Sequence, residues 1–177
     1  MRSLLACAVL ALAALGLAAC GGDDGDADKP TRAQFIATAD DACKANNRRT
    51  RTLNLEIRRV SAPAQGERDL LRRLAPVLKR GAGGVGRNAA AFKAAEPPAG
   101  DEVKIDLIRG LYDQQTKLVR RLATAAAKGD VAAFKALSTQ QDDVVQRARR
   151  LSQAYGFKEC GSTKSDAVRS KPTSGDA

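Results

Sequence analysis

Asp130–Phe157 reads DVAAFKALSTQQDDVVQRARRLSQAYGF, and this stretch decides the fold. Phe134, Leu137, Gln141, Val144, Ala148, Leu151 and Tyr155 recur at alternating spacings of three and four, the period of one helix face rather than the strict alternation of a strand. Asp130 stands where a side-chain oxygen caps the free N–H groups of a first turn. Gly156 suits a left-handed helix stop, with Phe157 placed to fold back on Leu151. The segment is a capped amphipathic helix.

Working outward, the same pattern occurs three more times. Ile108, Leu111, Gln115, Leu118, Leu122 and Ala125 form a stripe that Gly129 ends and that Asp101 and Glu102 introduce after Pro97-Pro98-Ala99-Gly100. Leu71, Leu74, Leu78, Ala82, Val85, Ala89 and Phe92 form another, with a kink or break expected at Pro76. The earliest starts at the capping-box pattern Thr31-Arg32-Ala33-Gln34 and continues through Phe35, Ala39, Ala42, Cys43, Leu53, Ile57 and Val60. Hydrophobic residues make up 44% of the chain but aromatics only 3%, so the core must be built from Leu, Val, Ile and Ala, which favours packed helices. Four amphipathic helices joined by short turns predict an all-α, antiparallel up-down-up-down four-helix bundle over 31–161. The polar tail, 162–177, is expected to be disordered.

Upstream of the bundle the chemistry changes. Arg2 precedes an apolar run from Leu4 to Leu15, too short to span a bilayer comfortably, which needs about 20 residues. That run closes on Leu17-Ala18-Ala19-Cys20, which resembles the lipobox of bacterial lipoproteins. The resemblance implies cleavage of a signal peptide, 1–19, and a diacylglyceryl thioether on Cys20. Residues 20–30, rich in Asp and Gly, then form an acidic flexible tether. The expected location is the extracytoplasmic face of a bacterial membrane, with the lipid on Cys20 as the membrane contact. Two or three acyl chains would make that anchoring stable.

Cys7 leaves with the signal peptide, so the exported domain retains Cys43 and Cys160, and outside the reducing cytosol these predict a disulfide. The pairing carries a geometric condition. Cys43 lies about twelve residues, roughly 18 Å, inside the first helix, whereas Cys160 follows the stop of the fourth. Either the chain turns back at Gly156 and runs up the groove, or the first helix protrudes below the bundle.

The chain has no histidine, which removes the commonest neutral-pH acid/base, the His-activated nucleophiles and the His ligands of zinc sites. No catalytic, metal or cofactor site is expected. Asp40-Asp41 and Asp142-Asp143 are adjacent pairs that point about 100° apart on a helix, so they read as solvated faces. Gly81 to Gly86 matches G-x-G-x-x-G, but it lies inside a helical stripe rather than between a strand and a helix. It reads as a thin-walled helix segment where a neighbour approaches closely.

Two groups of residues remain as candidate sites. Asn46, Gln115 and Gln141 fall at one level of the bundle on core-facing positions, either as a register-fixing polar layer or as a small polar pocket walled by the glycines. The chain carries 30 Lys and Arg against 20 Asp and Glu. Arg48, Arg49, Arg51, Arg58, Arg59, Arg68, Arg72, Arg73, Arg120 and Arg121 all map to the end far from the tether, a candidate anion-binding surface. Arg68, Arg72 and Arg73 lie near a helix N-terminus, where the dipole disfavours cations, and so argue for something beyond helix stabilisation.

The layout of lipobox, Asp/Gly tether and a helical domain with one early and one late cysteine resembles small Ala- and Arg-rich lipoproteins of actinobacteria. The residues that carry it are Leu17 to Cys20, Phe35 through Cys43, and Tyr155-Gly156-Phe157 through Cys160-Gly161. This resemblance implies no activity. The first expectation is a non-enzymatic binding or scaffolding module whose partner is an anionic envelope polymer or another envelope protein, with nucleic acid not expected. The alternative is a small-ligand carrier using the polar layer inside the bundle.

Overall fold

The computed structural model describes residues 29–162 and is an antiparallel four-helix bundle. Its helices are α1 (Arg32–Ser61), α2 (Glu67–Ala94), α3 (Glu102–Lys128) and α4 (Val131–Tyr155). The signal segment, Cys20 and the expected tail from 163 onward lie outside the described residues. Among the described residues no helix is long and apolar enough to cross a membrane.

The helix ends follow from local chemistry. Thr31 and Gln34 form the reciprocal capping box that satisfies two orphan donors at the start of α1. The Asp130 carboxylate accepts the Ala133 N–H at 3.0 Å and starts α4. Gly129 and Gly156 end α3 and α4 in the left-handed region, at φ 66° and 109°. The helix α2 runs unbroken through Pro76 and through Gly81–Gly86, so the expected break does not occur. Packing of α2 against both α1 and α3 outweighs the lost backbone donor.

Two apolar clusters hold the bundle. At the end where Lys29 enters, Phe35, Phe92, Tyr112, Tyr155 and Phe157 pack with Ile105 and Ile108. Their rings meet mostly edge to face, with Phe35 5.9 Å from Phe92 and 6.2 Å from Tyr155. Nearly all of the few aromatic residues in the chain have been gathered at this one end. Farther up, Leu118, Leu122, Leu137 and Val144 join α3 to α4.

The first helix departs from the simple bundle. Its backbone lies close to α2 alone, since none of its Cα atoms comes within 8 Å of one in α3 or α4, and it reaches the end of α4 through the Phe35 and Arg32 side chains at Tyr155. Its buried residues are Phe35, Ala39 and Cys43, all in the first half. The expected continuation through Leu53, Ile57 and Val60 is only partly buried, and Leu55 is 62% exposed.

What ties α1 to α4 is the chain after Gly156. It turns back and runs up the groove, and Cys43 and Cys160 form a disulfide with Cα atoms 5.0 Å apart. Of the two geometries compatible with that pairing, the returning chain is the one adopted. Asp40 fixes it: its carboxylate accepts the N–H groups of Lys158, Glu159 and Cys160 at 2.9, 2.9 and 3.1 Å. Asp40 is therefore not the solvated acid its neighbour Asp41 suggests; it satisfies three consecutive donors that the returning segment, lacking regular structure, leaves open. The Tyr112 hydroxyl donates to the Cys160 carbonyl at 3.2 Å, and Gln153 donates to the carbonyl of Gly161 at 2.8 Å.

Candidate functional site

Above the disulfide, where α1 stands off from α4, the bundle holds a half-open cavity of about 310 Å³ lined by all four helices and the returning segment. The inner line of α1 explains its chemistry. Cys43, Asn47, Thr50 and Asn54 follow one another at helical spacing, so the face that carries Phe35, Ala39 and Cys43 lower down turns polar. Opposite stand Asn88 from α2, Gln115 from α3 and Gln141 from α4.

Asn46, Gln115 and Gln141 thus reach the wall of one cavity, although no hydrogen bond links their side chains to one another. A register-fixing layer would join the amides directly; here they face a shared space. The glycines of α2 do not wall it. The helix presents Val85 and Asn88 to the cavity, while Gly81 turns toward Leu53 of α1 and Gly86 toward Thr116 of α3. The glycines permit the close helix approach expected of a thin-walled segment, but on faces next to the cavity rather than in its wall.

The decisive residue is Asn88, which sequence reasoning missed. It is 8% exposed, its Oδ1 has no hydrogen-bond partner in the protein, and its Nδ2 reaches only the Cys43 sulfur at 4.0 Å. Gln141 likewise keeps a buried Oε1 without a protein partner. A buried amide group left unmatched costs about 1 to 3 kcal/mol, so two on one cavity wall are a feature the fold does not need for its own stability. The overlooked signal was the run of Asn and Thr on the core line of α1, which marks the level at which the interior becomes polar.

Tyr112, which lines the cavity, and Tyr155, in the aromatic cluster, both make hydrogen bonds within the protein. Burial raises the Tyr112 phenol, whose oxygen lies 3.4 Å from the Ser152 hydroxyl. Burial and then the hydrogen bond to Asp101 push the Tyr155 phenol up to about 12, so it serves as a proton donor and not as a base. Asp101 is held below the usual carboxylate range by Lys104 and then by Tyr155. Among the described residues no group of three His, Cys, Asp or Glu side chains is arranged to hold a metal ion.

The basic end shows where its arginines sit in the bundle. Arg48, Arg49, Arg51, Arg58, Arg59, Arg68, Arg72, Arg73, Arg120 and Arg121 are all exposed and spread over three helices. In the antiparallel bundle the start of α2 lies beside the end of α3, and Arg68 and Arg72 flank Gly129, where the carbonyls of α3 favour cations. Arg73 pairs with Asp69 at 2.7 Å. Each of the three arginines that argued most for an anionic ligand thus has a neighbour within the bundle.

Comparison of the chain with family models, with curated proteins and with solved structures returns no significant match.

Proposed function

We propose that this chain is a lipid-anchored carrier or receptor that binds a small polar ligand in the cavity between α1 and α4. The observation that carries this reading is a space of about 310 Å³ lined by Asn88 and Gln141, two residues whose side-chain amides each keep a buried oxygen without a protein partner. Ligand pockets run from roughly 300 to 1,000 Å³ and use a few convergent polar groups to orient their occupant. The absence of histidine and the hydrogen bonds that both tyrosines make within the protein favour binding over chemistry. Anchoring rests on Leu17-Ala18-Ala19-Cys20, and recognition of an anionic polymer by the far end is the weaker reading because its arginines do not converge.

Thermal-shift screening of the full chain against sugars, amino acids, nucleosides and small anions tests the cavity. At least one compound should raise the melting temperature, and Asn88→Ala or Gln141→Ala should erase the effect. A stabilising compound indifferent to both substitutions would place binding elsewhere. Incorporation of a labelled fatty acid in living cells, lost in Cys20→Ala, tests the anchor.

A further inference from the structure

We infer that the occupant of this cavity is a neutral polyhydroxylated ring, either a free monosaccharide or cyclitol or the end unit of a glycan. This rests on the ligand-binding reading above and narrows it to one chemistry. The inner polar groups of the lining are neutral amides and hydroxyls: Asn88, which is buried, and the half-buried Asn46, Thr50, Gln115 and Gln141. Two of them present acceptors that need a donor. A carboxylate only accepts, whereas a hydroxyl donates and accepts and so meets both the oxygen and the NH2 of each amide.

Charge points the same way. The cationic lining residue, Arg149, shares the wall with the carboxylates of Asp142 and Glu159, so the site offers no excess of positive charge to an anion. A cationic ligand would meet that same arginine and a chain of formal charge +10. The apolar part of the wall is Val85, Val119 and Val145, interspersed among the amides. Such a mixture complements a ring with C–H faces and a rim of hydroxyls. The volume holds about ten waters at roughly 30 Å³ each, which corresponds to one ring compound of about a dozen heavy atoms.

Titration calorimetry of the full chain with hexoses, inositol and short oligosaccharides, alongside inorganic phosphate and glycine, tests the inference. A sugar or cyclitol should bind with an affinity unchanged on raising the salt concentration. Asn88→Ala should weaken that binding about tenfold, the effect of one lost buried hydrogen bond. Gln141→Met keeps the side-chain shape and should weaken it similarly, so a folding defect in one variant leaves the other informative. Binding confined to free rings identifies the soluble source, and equal or tighter binding of oligosaccharides identifies a glycan end.

Binding of phosphate or glycine with no response to any sugar overturns this inference while leaving the cavity a ligand site. Silence from the whole panel and from the wider screen overturns both. Sugar binding untouched by either substitution also overturns the inference.

Discussion

The two parts of α1, before and after Cys43, are opposite in behaviour. From Arg32 to Cys43 the helix buries Phe35, Ala39 and Cys43 against an aromatic cluster and is latched to α4 by Asp40 and the disulfide. From Lys44 to Ser61 it has no fully buried residue, and α2 is the one helix whose backbone it approaches, with Asn47 reaching the returning chain at Glu159 and Ser162. The difference lies in a few side chains on one line of the helix. Where that line is apolar the bundle closes; where it becomes Asn47, Thr50 and Asn54 the bundle leaves a polar space. A bundle stable at one end can keep an open interior at the other, because the closed end carries the cost of holding the fourth side of the bundle in place.

Removing the latch is the strongest way to break this contrast. The disulfide spans a sequence separation of 117, for which chain-entropy reasoning gives roughly 4 to 5 kcal/mol. Cys43→Ser with Cys160→Ser, or reduction of the intact protein, should lower the stability measured by denaturant unfolding by up to that amount. Hydrogen exchange should speed up first in residues 157–161, while the α3–α4 cluster around Leu122 and Leu137 keeps its protection. Equal loss of protection throughout would show that the two parts unfold as one unit and that the contrast is only static.

Next in size is the comparison of two apolar residues on α1 itself. Phe35 is 1% exposed and touches three other aromatic rings, so Phe35→Ala should cost about 3 to 5 kcal/mol. Leu55, 62% exposed, should lose no more than about 0.5 kcal/mol when changed to Ala. Thermal or urea unfolding of the two variants side by side checks the prediction, and similar losses would mean that the far half of α1 packs more firmly than its exposure indicates.

How much of this was legible in the sequence follows from the same two parts. All four helices were, because their stripes keep helical spacing and their ends carry Thr31, Gly129, Asp130 and Gly156 in positions where few other residues satisfy the backbone. The disulfide was legible from elimination once export was expected. What was not legible was the rotation of each helix. Leu53, Ile57 and Val60 have the right spacing for a buried stripe, and only the packing of this part of α1 against α2 shows that they stay half-covered. Asn88 falls one residue from the apolar Ala89, and a rotation of about 100° per residue decides which of the two faces the interior; here both are buried. Likewise Asp40 resembled its exposed neighbour until the returning chain brought three N–H groups to it, a contact between residues more than 100 positions apart.

Asp40 supplies the third test. Asp40→Asn keeps the size of the side chain but removes the charge from three hydrogen bonds, and charge-assisted bonds contribute about 1.5 to 3 kcal/mol each before non-additivity is allowed for. With the disulfide intact the segment cannot leave, so the expected loss is about 2 kcal/mol in denaturant unfolding. The accompanying signature is faster exchange at the amides of Lys158, Glu159 and Cys160. A variant as stable and as protected as the parent would assign the whole latch to the disulfide.

The last pair of effects comes from two glycines, and they should have opposite signs. Gly84 is buried on α2, yet a Cβ placed there meets nothing within 4 Å. Gly161 is buried too, but its Cβ would lie 2.7 Å from Cγ of Gln153 and 3.2 Å from the Arg149 carbonyl. Alanine in a helix interior is favoured over glycine by about 0.5 to 1 kcal/mol, so Gly84→Ala should raise the melting temperature, since the open half has room for the methyl group. Gly161→Ala adds the same methyl where the returning chain lies against α4 and should lower stability by about 1 to 3 kcal/mol through overpacking. One substitution, made on the two sides of the disulfide, thus measures where the interior is filled and where it is not. If both variants lost stability, α2 would have to sit closer to its neighbours at Gly84, and the open half of the bundle would be narrower than its side chains allow.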